Sequence, residues 1–410
     1  MAGTVTLVLL AAAGCAGGRE PDVKHSRTAV IHLDKPVALA DEPVHTRISG
    51  LNPGEDITVT THATDADGTT WTGRAVLDAD SKGVVDLDRA KPRAGTYRGA
   101  DGMGLFWSMT SAKGDPDKSW FRTDDPQKAP AYQVRLAVRT GGRTIAERQL
   151  TRTWRVSGVH RKALTVAHDK VSGELFLPPA DGPRRAPVLI LGGSEGGTGS
   201  PVVGALLASR GHPTLSLCYF GCQGRPKNLV GVSLEYFASA ARLLRKQPQA
   251  DPNRLMVIGG SRGSEAAQLM AQYYPGLVDD AVAYMPSRNT NAAYYRGCYS
   301  CGRDQVAWTR NGKGLHLIPI PLNHVRGTVL AIGGGDDRVW SSFPSAESVA
   351  QERNATGHKH KALLYPKAGH AIGPLTYLPV SGGEPWGGTR AANARAAADS
   401  WPHVLQLLGP

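Results

Sequence analysis

The sequence has no dense lysine- and arginine-rich helix and no alternation of aromatic with basic residues. These two patterns mark surfaces that bind nucleic acid, so we predict that nucleic acid is not a partner. Acidic residues are also in deficit, with 35 against 47 lysines and arginines, which gives a net charge of +12. This surplus favours acidic partners, such as phosphorylated substrates or anionic envelope surfaces, unless it only reflects an arginine-rich proteome.

The apolar run from Thr4 to Gly14 is too short to span a bilayer, but it suits the core of a signal peptide. Small residues precede Cys15, as in a bacterial lipoprotein cleavage site where the cysteine would be lipidated. No lysine or arginine precedes the run, so a mis-assigned start codon or a fortuitous alanine-rich segment is an alternative. We predict export, with residues 1–26 as leader and tether and a lipid anchor on the outer side of the cytoplasmic membrane. A cytoplasmic location is the alternative.

The length of 410 residues, with 41% hydrophobic and 20% charged residues, predicts a globular chain of two domains after the leader. Residues 27–158 contain short segments of period-two alternation, separated by turn residues such as Asn52–Gly54 and Asp65–Gly68. Strands at this spacing, without a convincing helix, predict an all-β sandwich. We interpret the apolar segment Met103–Met109 as a buried strand or a plug between the domains.

From residue 159 to residue 410 the pattern changes to alternating strands and helices. Ala186–Leu191 is continuously apolar, as expected of a parallel strand covered on both faces. Val202–Arg210 and Leu234–Lys246 are predicted helices, the second with a clear apolar face. The other predicted strands are Thr214–Tyr219, Leu255–Ile258, Val278–Met285, Thr328–Ile332 and Ala362–Tyr365. This alternation predicts an α/β domain with a doubly wound sheet.

Leu255–Ile258 leads into Gly259-Gly-Ser261-Arg-Gly263, the G-x-S-x-G pattern of a nucleophile elbow. Small neighbours let the backbone turn so sharply that the serine hydroxyl stands clear of the sheet. Because the chain has 49 glycines, the pattern alone also fits an ordinary glycine turn. The functional interpretation therefore depends on an acid and a histidine that follow in order.

Both partners are present downstream. The strand ending at Ile332 leads into Gly333–Asp337, where Asp336 or Asp337 could orient a histidine, and the spacing does not choose between them. Of 13 histidines, only His370 combines the right order, a preceding strand and a glycine before it. Ser261 would attack an acyl carbonyl, His370 would take its proton, and the aspartate would hold the imidazole.

Two oxyanion donors are expected near the serine. The first is the backbone N–H of Arg262, at the start of the next helix, and the second comes from the Gly192–Gly197 loop, near Ser194 or Glu195. This loop lacks the Gly-Lys-Ser/Thr ending of a nucleotide loop and the G-x-G-x-x-G spacing, which disfavours a phosphate cradle. We predict no cofactor and no catalytic metal.

These motifs resemble the acyl-CoA thioester hydrolase and bile acid-CoA:amino acid N-acyltransferase family over most of the chain. The similar segments are Asp41–Val44, Gly50–Leu51, Met103–Trp107, Gly173–Pro179, Leu234–Phe237, the serine elbow, Gly334–Trp340 and Tyr365–His370. The resemblance implies an immunoglobulin-like domain over residues 27–158 and an α/β-hydrolase domain over residues 159–410. It places the acid three residues before a Trp-like position, which implies Ser261, Asp337 and His370 as the triad.

Within this family, members that conjugate amino acids carry cysteine at the elbow. Ser261 therefore implies a hydrolase, because an oxygen-ester intermediate is suited to hydrolysis by water. We predict a serine-dependent hydrolase of a small-molecule acyl thioester of the acyl-CoA type. The alternatives are an exported carboxylic-ester hydrolase and an acyl-CoA:amino acid N-acyltransferase. A non-enzymatic envelope binding protein is disfavoured by the intact triad. An exported lipoprotein would not normally meet acyl-CoA, so the identity of the substrate depends on the compartment. The insertion Asn289–Leu322 is expected to shape the acyl pocket.

Four further cysteines form the close pairs Cys218/Cys222 and Cys298/Cys301. In an oxidising compartment an even count favours two disulfides, and a bridge from Cys222 to Cys298 or Cys301 would tie a strand-end loop to the insertion. Two close pairs could instead hold zinc, but the spacing is imperfect. None of the four lies at the elbow, which disfavours a catalytic thiol.

Overall fold

A computed structural model describes Met1 and residues 29–298 and 301–409. The predicted tether and Cys15, with the leader after Met1, lie outside the described residues. No helix in the described part of the chain is both long and apolar enough to cross a membrane.

The N-terminal part of the chain forms two β-sheets. Its strands are β1 (Val30–Leu33), β2 (Val37–Leu39), β3 (Thr46–Ser49), β4 (Asp56–Thr64), β5 (Thr70–Asp78), β6 (Val85–Asp86), β7 (Ala94–Gly95), β8 (Thr110–Ser111), β9 (Ala131–Thr140) and β10 (Arg143–Thr153). One sheet has the order β1-β3-β6, and the other has the order β2-β10-β9-β4-β5-β7 with β8 beside β5. Buried and less buried residues alternate along β4 and β5, as period two requires for sheets with one covered face.

The expectation of a buried strand at Met103–Met109 needs correction, because this segment contains the one-turn helix α1 (Gly104–Trp107). The alternative, a plug between the domains, stays a prediction. All four helical residues are buried, and the Trp107 indole donates to Asp101 at 2.9 Å. The helix packs against β4 and β5, where Thr61 donates to the Leu105 carbonyl at 2.6 Å. Gly73 permits this approach, since a Cβ there would collide with that carbonyl. The apolar composition predicted burial correctly, but it could not distinguish a helix from a strand.

An eight-stranded sheet begins at His160. The remaining strands are β11 (His160–Leu164), β12 (Ser172–Leu177), β13 (Val188–Leu191), β14 (Thr214–Cys218), β15 (Val232–Ser233), β16 (Met256–Gly260), β17 (Asp280–Tyr284), β18 (Trp308–Arg310), β19 (Lys313–Leu315), β20 (Val329–Gly334) and β21 (Lys361–Tyr365). The sheet order is β11-β12-β14-β13-β16-β17-β20-β21. From β14 to β21 all neighbours are parallel, whereas β11 and β12 pair antiparallel.

Helices accompany these strands. They are α2 (Val166–Asp169), α3 (Pro201–Ser209), α4 (Leu234–Arg245), α5 (Arg262–Tyr273), α6 (Ser342–Gln351) and α7 (Arg390–Leu408). Helix α4 begins at its N-cap Ser233, whose hydroxyl accepts from the Glu235 N–H at 3.1 Å, and it buries the apolar face that the sequence predicted. The carboxyl ends of β13, β16, β20 and β21 meet at one edge of the sheet, where α/β proteins place their ligand sites.

The insertion Asn289–Leu322 contributes β18 and β19 to a small sheet, in which β18 also pairs with β15. Disulfides join Cys218 to Cys222 and Cys298 to Cys301, so the expected bridge from Cys222 to the insertion does not form. Separations of only four and three residues allow each pair to close within its own loop. The thiolates that a zinc site would need are used in these bonds.

Candidate active site

Ser261 occupies a sharp turn between β16 and α5. Its φ of 52° and ψ of −120° are unusual for a residue with a side chain, so the surrounding backbone must hold this strained conformation. The Ser261 N–H donates to the Tyr284 carbonyl at 3.0 Å. Gly259 and Gly263 allow the turn: a Cβ on Gly259 would collide with the Gly263 carbonyl, and one on Gly263 would lie 2.5 Å from the Leu191 carbonyl oxygen. The G-x-S-x-G spacing therefore has a steric cause.

The three side chains of the predicted triad lie in one hydrogen-bonded chain. His370 Nε2 is 2.9 Å from Ser261 Oγ, and His370 Nδ1 is 2.8 Å from Asp337 Oδ2. The other Asp337 oxygen accepts from the backbone N–H groups of Val339 and Trp340, at 2.9 and 3.2 Å. The histidine and aspartate side chains are only 3% and 1% exposed, so their interaction is shielded from water. The arrangement can transfer a proton from the serine to the imidazole.

Asp336 faces a different part of the loop. One of its oxygens accepts from the Gly388 N–H at 2.8 Å and the other forms an ion pair with Arg338 at 3.2 Å. The Gly388 hydrogen bond is the main cause that lowers the pKa of the Asp336 carboxyl. This side chain is 44% exposed and forms no hydrogen bond with Ser261 or His370. Its contact with the Gly388 N–H instead connects the Asp336 turn to the segment around Gly388.

Two tryptophans enclose the imidazole, a role that was not predicted for either of them. Trp340 meets the His370 ring edge-on, with centroids 5.3 Å apart, and Trp386 lies nearly parallel to it at 6.0 Å. The His370 N–H also donates to the Trp386 carbonyl at 2.8 Å. Trp340 could have been suspected, because it stands three residues after Asp337, whereas no local pattern marks Trp386.

The expected oxyanion donors lie close to Ser261: Arg262 follows it directly in the chain, and Ser194 lines the same cavity. Among the described residues, no hydrogen bond uses the backbone N–H of Ser194 or of Arg262, so both are free to bind a ligand oxygen. The Glu195 side chain binds back to its own loop, because its carboxylate accepts a hydrogen bond from the Gly193 N–H at 2.7 Å. The Gly192 carbonyl of the same loop accepts a hydrogen bond from the Tyr219 hydroxyl at 2.5 Å.

The Arg262 side chain points into the protein. It forms an ion pair with Glu265 at 2.8 Å, in which the two side chains are 6% and 0% exposed. Arg262 also donates to the Ala292 carbonyl at 2.6 Å, and Glu265 accepts from the Trp308 indole at 2.8 Å and the Asn291 N–H at 3.0 Å. This buried network attaches the insertion to the helix that follows the nucleophile.

A cavity of about 990 Å³ opens beside Ser261 and His370. Most of its wall is apolar, from Ile190, Ile258, Met285, Tyr294, Val339, Ile372, Pro374, Pro385 and Trp386. The insertion contributes Tyr294, Arg296 and Gly297 to the wall, as expected of a segment that shapes a pocket. Arg296 and Arg338 supply positive charge to the same wall.

Possible metal ligands meet at a separate place, on the N-terminal sheets. Ligand atoms of His45, Asp86 and Asp88 lie within 4.8 Å of one another. The Asp86 hydrogen bond is the main cause that raises the pKa of His45, so the cluster is satisfied as an exposed histidine–carboxylate pair.

A mainly parallel sheet with a serine elbow and a histidine–aspartate pair at its carboxyl edge defines the catalytic part as an α/β hydrolase. The chain belongs to the acyl-CoA thioester hydrolase/BAAT family, whose N-terminal region matches residues 41–166 and whose C-terminal region matches residues 232–297 and 303–409. The family resemblance seen in the sequence is confirmed.

Named relatives span nearly the whole chain. The human mitochondrial acyl-coenzyme A thioesterase 2 is 28% identical over 397 residues, covering 89% of this chain and 80% of the relative. Acyl-coenzyme A thioesterase 6 of Mus musculus is 29% identical over 397 residues, covering 89% of this chain and 92% of the relative. Among solved structures, a putative dienelactone hydrolase from Klebsiella pneumoniae covers 61% of this chain and 98% of its own, with 15% identity and a TM-score of 0.42, a likeness too remote to bear on function.

Proposed function

We propose that the protein is a serine-dependent acyl thioester hydrolase that releases a free acid through an acyl-enzyme intermediate. The observation that carries this proposal is the hydrogen-bonded chain Ser261–His370–Asp337 beside an apolar cavity. The similarity to acyl-coenzyme A thioesterases supports a thioester as the substrate.

The reaction has two halves. Ser261 Oγ attacks the thioester carbonyl while His370 Nε2 takes its proton, and Asp337 stabilises the imidazolium that forms. The backbone N–H groups of Arg262 and Ser194 bind the tetrahedral oxygen, with the Glu195 N–H as the alternative second donor. Collapse breaks the carbon–sulfur bond and the thiol leaves with the proton from His370. Water, activated by the same imidazole, then hydrolyses the serine ester and restores Ser261.

The cavity wall favours an apolar acyl group. A volume of about 990 Å³ is at the upper end of small-molecule sites and would hold a medium or long alkyl chain. The aliphatic side chains of the wall offer no hydrogen bonds to a polar acyl group. Arg296 supplies positive charge that suits a phosphorylated leaving group such as coenzyme A.

The domain assignment is part of the same proposal. We assign residues 27–158 to an immunoglobulin-like sandwich and residues 159–410 to the hydrolase domain. The sandwich domain supports the candidate active site of the hydrolase domain, because Trp120 packs edge-on against Trp386 with ring centroids 6.2 Å apart. Asp41 also accepts from the Trp401 indole of α7 at 2.7 Å.

Export and lipidation at Cys15 rest on the sequence alone. The mitochondrial location in the name of one relative gives this part of the proposal no support. If the protein is exported, its substrate is an acyl thioester or ester outside the cytoplasmic membrane rather than cytoplasmic acyl-CoA.

A fluorophosphonate probe tests the serine chemistry. We expect stoichiometric labelling of Ser261 in the native protein and none in Ser261→Ala. Ser264→Ala is the matched control, because Ser264 lies one helical turn away and its hydroxyl donates to the backbone carbonyls of Ser261 at 2.7 Å and Met285 at 3.5 Å. Absence of labelling in the native protein would overturn the proposal.

Product analysis separates hydrolysis from transfer. A long-chain acyl-CoA is incubated with and without glycine or taurine, and free acid should exceed conjugate in both mixtures. Conjugate in excess of free acid would instead establish the N-acyltransferase. Hydrolysis of simple carboxylic esters without that of thioesters would establish the ester hydrolase.

A further inference from the structure

The glycine loop 192–197 passes directly over the nucleophile. A Cβ on Gly193 would lie 3.1 Å from Ser261 Cβ, which leaves no room for a side chain between the loop and the serine. Gly196, Gly197 and Gly199 have φ values of 68°, 78° and 62°, in the region that glycine adopts freely. The loop therefore has high intrinsic conformational freedom, yet it must present its N–H groups at a fixed distance from the serine.

Side chains fix this loop from both sides. The Tyr219 hydroxyl donates to the carbonyls of Gly192 at 2.5 Å and Gly193 at 3.4 Å. The Glu195 carboxylate accepts from the N–H of Gly193 at 2.7 Å. The Gly192–Gly193 peptide group thus has both its carbonyl and its N–H occupied, and no hydrogen bond within the described residues uses the N–H of Ser194 or of Glu195, which both line the cavity.

Tyr219 is itself rigid. Its ring is 1% exposed and packs against Phe237 and Trp308, with centroids 5.2 and 5.8 Å away. Burial raises the pKa of the Tyr219 phenol well above its ordinary value, so the hydroxyl keeps its proton and remains a donor throughout the working pH range. Tyr219 is therefore a stable support for the loop.

We propose that Tyr219 and Glu195 are positioning residues that hold the glycine loop in the shape required for oxyanion binding. This inference rests on the proposed hydrolase function, since it assigns a role within the same site. Neither side chain contacts the reacting atoms. Each acts through the backbone of Gly192 and Gly193, and a shift of about 1 Å in the oxyanion donor is enough to reduce turnover by roughly a hundredfold.

Tyr219→Phe tests the hydroxyl, and Tyr236→Phe is its matched control. Tyr236 is also buried, packs against Phe237, and donates to the Cys218 carbonyl at 2.7 Å, but it makes no contact with the glycine loop. We expect Tyr219→Phe to lower kcat by about 10- to 100-fold with little change in KM, and to weaken binding of an alkyl trifluoromethyl ketone by the same factor. Tyr236→Phe should lower thermal stability similarly but change kcat by less than about threefold.

Equal losses of kcat in the two tyrosine variants would overturn the inference, as would an unchanged kcat in Tyr219→Phe. Failure of the proposed function is distinguishable, because the native protein would then not be labelled by the fluorophosphonate at all. If the native protein is labelled, the rate of fluorophosphonate labelling in Tyr219→Phe should fall together with kcat.

Glu195 is tested by two substitutions. Glu195→Ala removes the acceptor for the Gly193 N–H, whereas Glu195→Gln keeps an oxygen in the same position. We expect kcat of Glu195→Ala to fall by about tenfold and that of Glu195→Gln to be restored most of the way to the native value. If the glutamine variant is as impaired as the alanine variant, the negative charge acts directly on the reaction and the positioning role is wrong.

Discussion

Asp337→Asn tests the proton path of the proposed site most directly. In the native protein one carboxylate oxygen of Asp337 accepts from His370 Nδ1, and the other accepts from the N–H groups of Val339 and Trp340. An asparagine has one oxygen, which these two N–H groups would retain. Its NH₂ group would then face His370 and force Nδ1 to accept, so the imidazole proton would move to Nε2. In that tautomer His370 cannot take the proton of Ser261.

The size of the effect follows from the geometry. The carboxylate and the imidazolium formed in the transition state lie about 4 Å apart between charge centres, where the attraction is about 4 kcal/mol at an effective dielectric constant near 20. Because each 1.36 kcal/mol changes the rate about tenfold, loss of the charge alone lowers kcat by roughly a thousandfold. The wrong tautomer adds to this loss, so we expect a total between about 10³- and 10⁴-fold.

Turnover is measured as release of free thiol from a long-chain acyl-CoA at neutral pH. Asp336→Asn is the matched control, because its oxygen can still accept from the Gly388 N–H and its side chain is 44% exposed. That variant should lose no more than about fivefold. Equal losses in the two variants, or a loss of less than about tenfold in Asp337→Asn, would refute the assigned geometry.

Three further outcomes are expected. Gly263→Ala places a Cβ 2.5 Å from the Leu191 carbonyl oxygen and should lower the free energy of unfolding by about 3 kcal/mol or more. Gly276→Ala is the control and should be nearly neutral, because the space around Gly276 is open. Equal denaturation midpoints for the two variants would contradict this expectation. Burial lowers the pKa of His212 from 6.5 to about 4, so the unfolded chain binds its proton first and stability should fall by roughly 2–3 kcal/mol as the pH drops through that window. His212→Asn keeps an N–H donor at the position of His212 Nδ1, which lies 2.9 Å from the Ala186 carbonyl oxygen, and should flatten this part of the curve in denaturant titrations. An unchanged slope would be evidence against this assignment. Mass spectrometry of the mature protein should find an acylated Cys15 at its N-terminus, and an intact unmodified leader would disprove export by this route.

The central strands could be predicted from the sequence because both of their faces are covered. Every residue of β13 and β20 is buried, and each appears as a run without a polar side chain. Strands β14 and β17 are equally buried and mainly apolar, although they contain Thr214, Ser216 and Asp280. Strand β11 was missed for the opposite reason: it is an edge strand, only Leu164 in it is buried, and its composition resembles that of a surface loop.

The members of the proposed triad could be selected from order and local chemistry, but the choice between the aspartates could not. Asp336 and Asp337 are adjacent in a turn, and small backbone differences decide which carboxylate faces His370. The structure settles this contact through Gly388, which binds Asp336 from a segment 52 residues later in the chain. A contact of that range leaves no pattern in the local sequence. The same holds for Tyr219, whose hydroxyl reaches the Gly192 carbonyl from 27 positions away.

The buried Arg262–Glu265 pair makes the pocket and the nucleophile interdependent. A charge pair this deep is costly to separate, because removal of one partner leaves the other uncompensated and shielded from solvent. Since the same two side chains bind the Ala292 carbonyl and the Trp308 indole, the insertion cannot move away from α5 without exposing that charge. Changes in the insertion that alter the acyl group bound should therefore also shift the Arg262 backbone N–H, which we propose as an oxyanion donor. Specificity and turnover in this enzyme are then expected to change together, even for substitutions that do not contact Ser261.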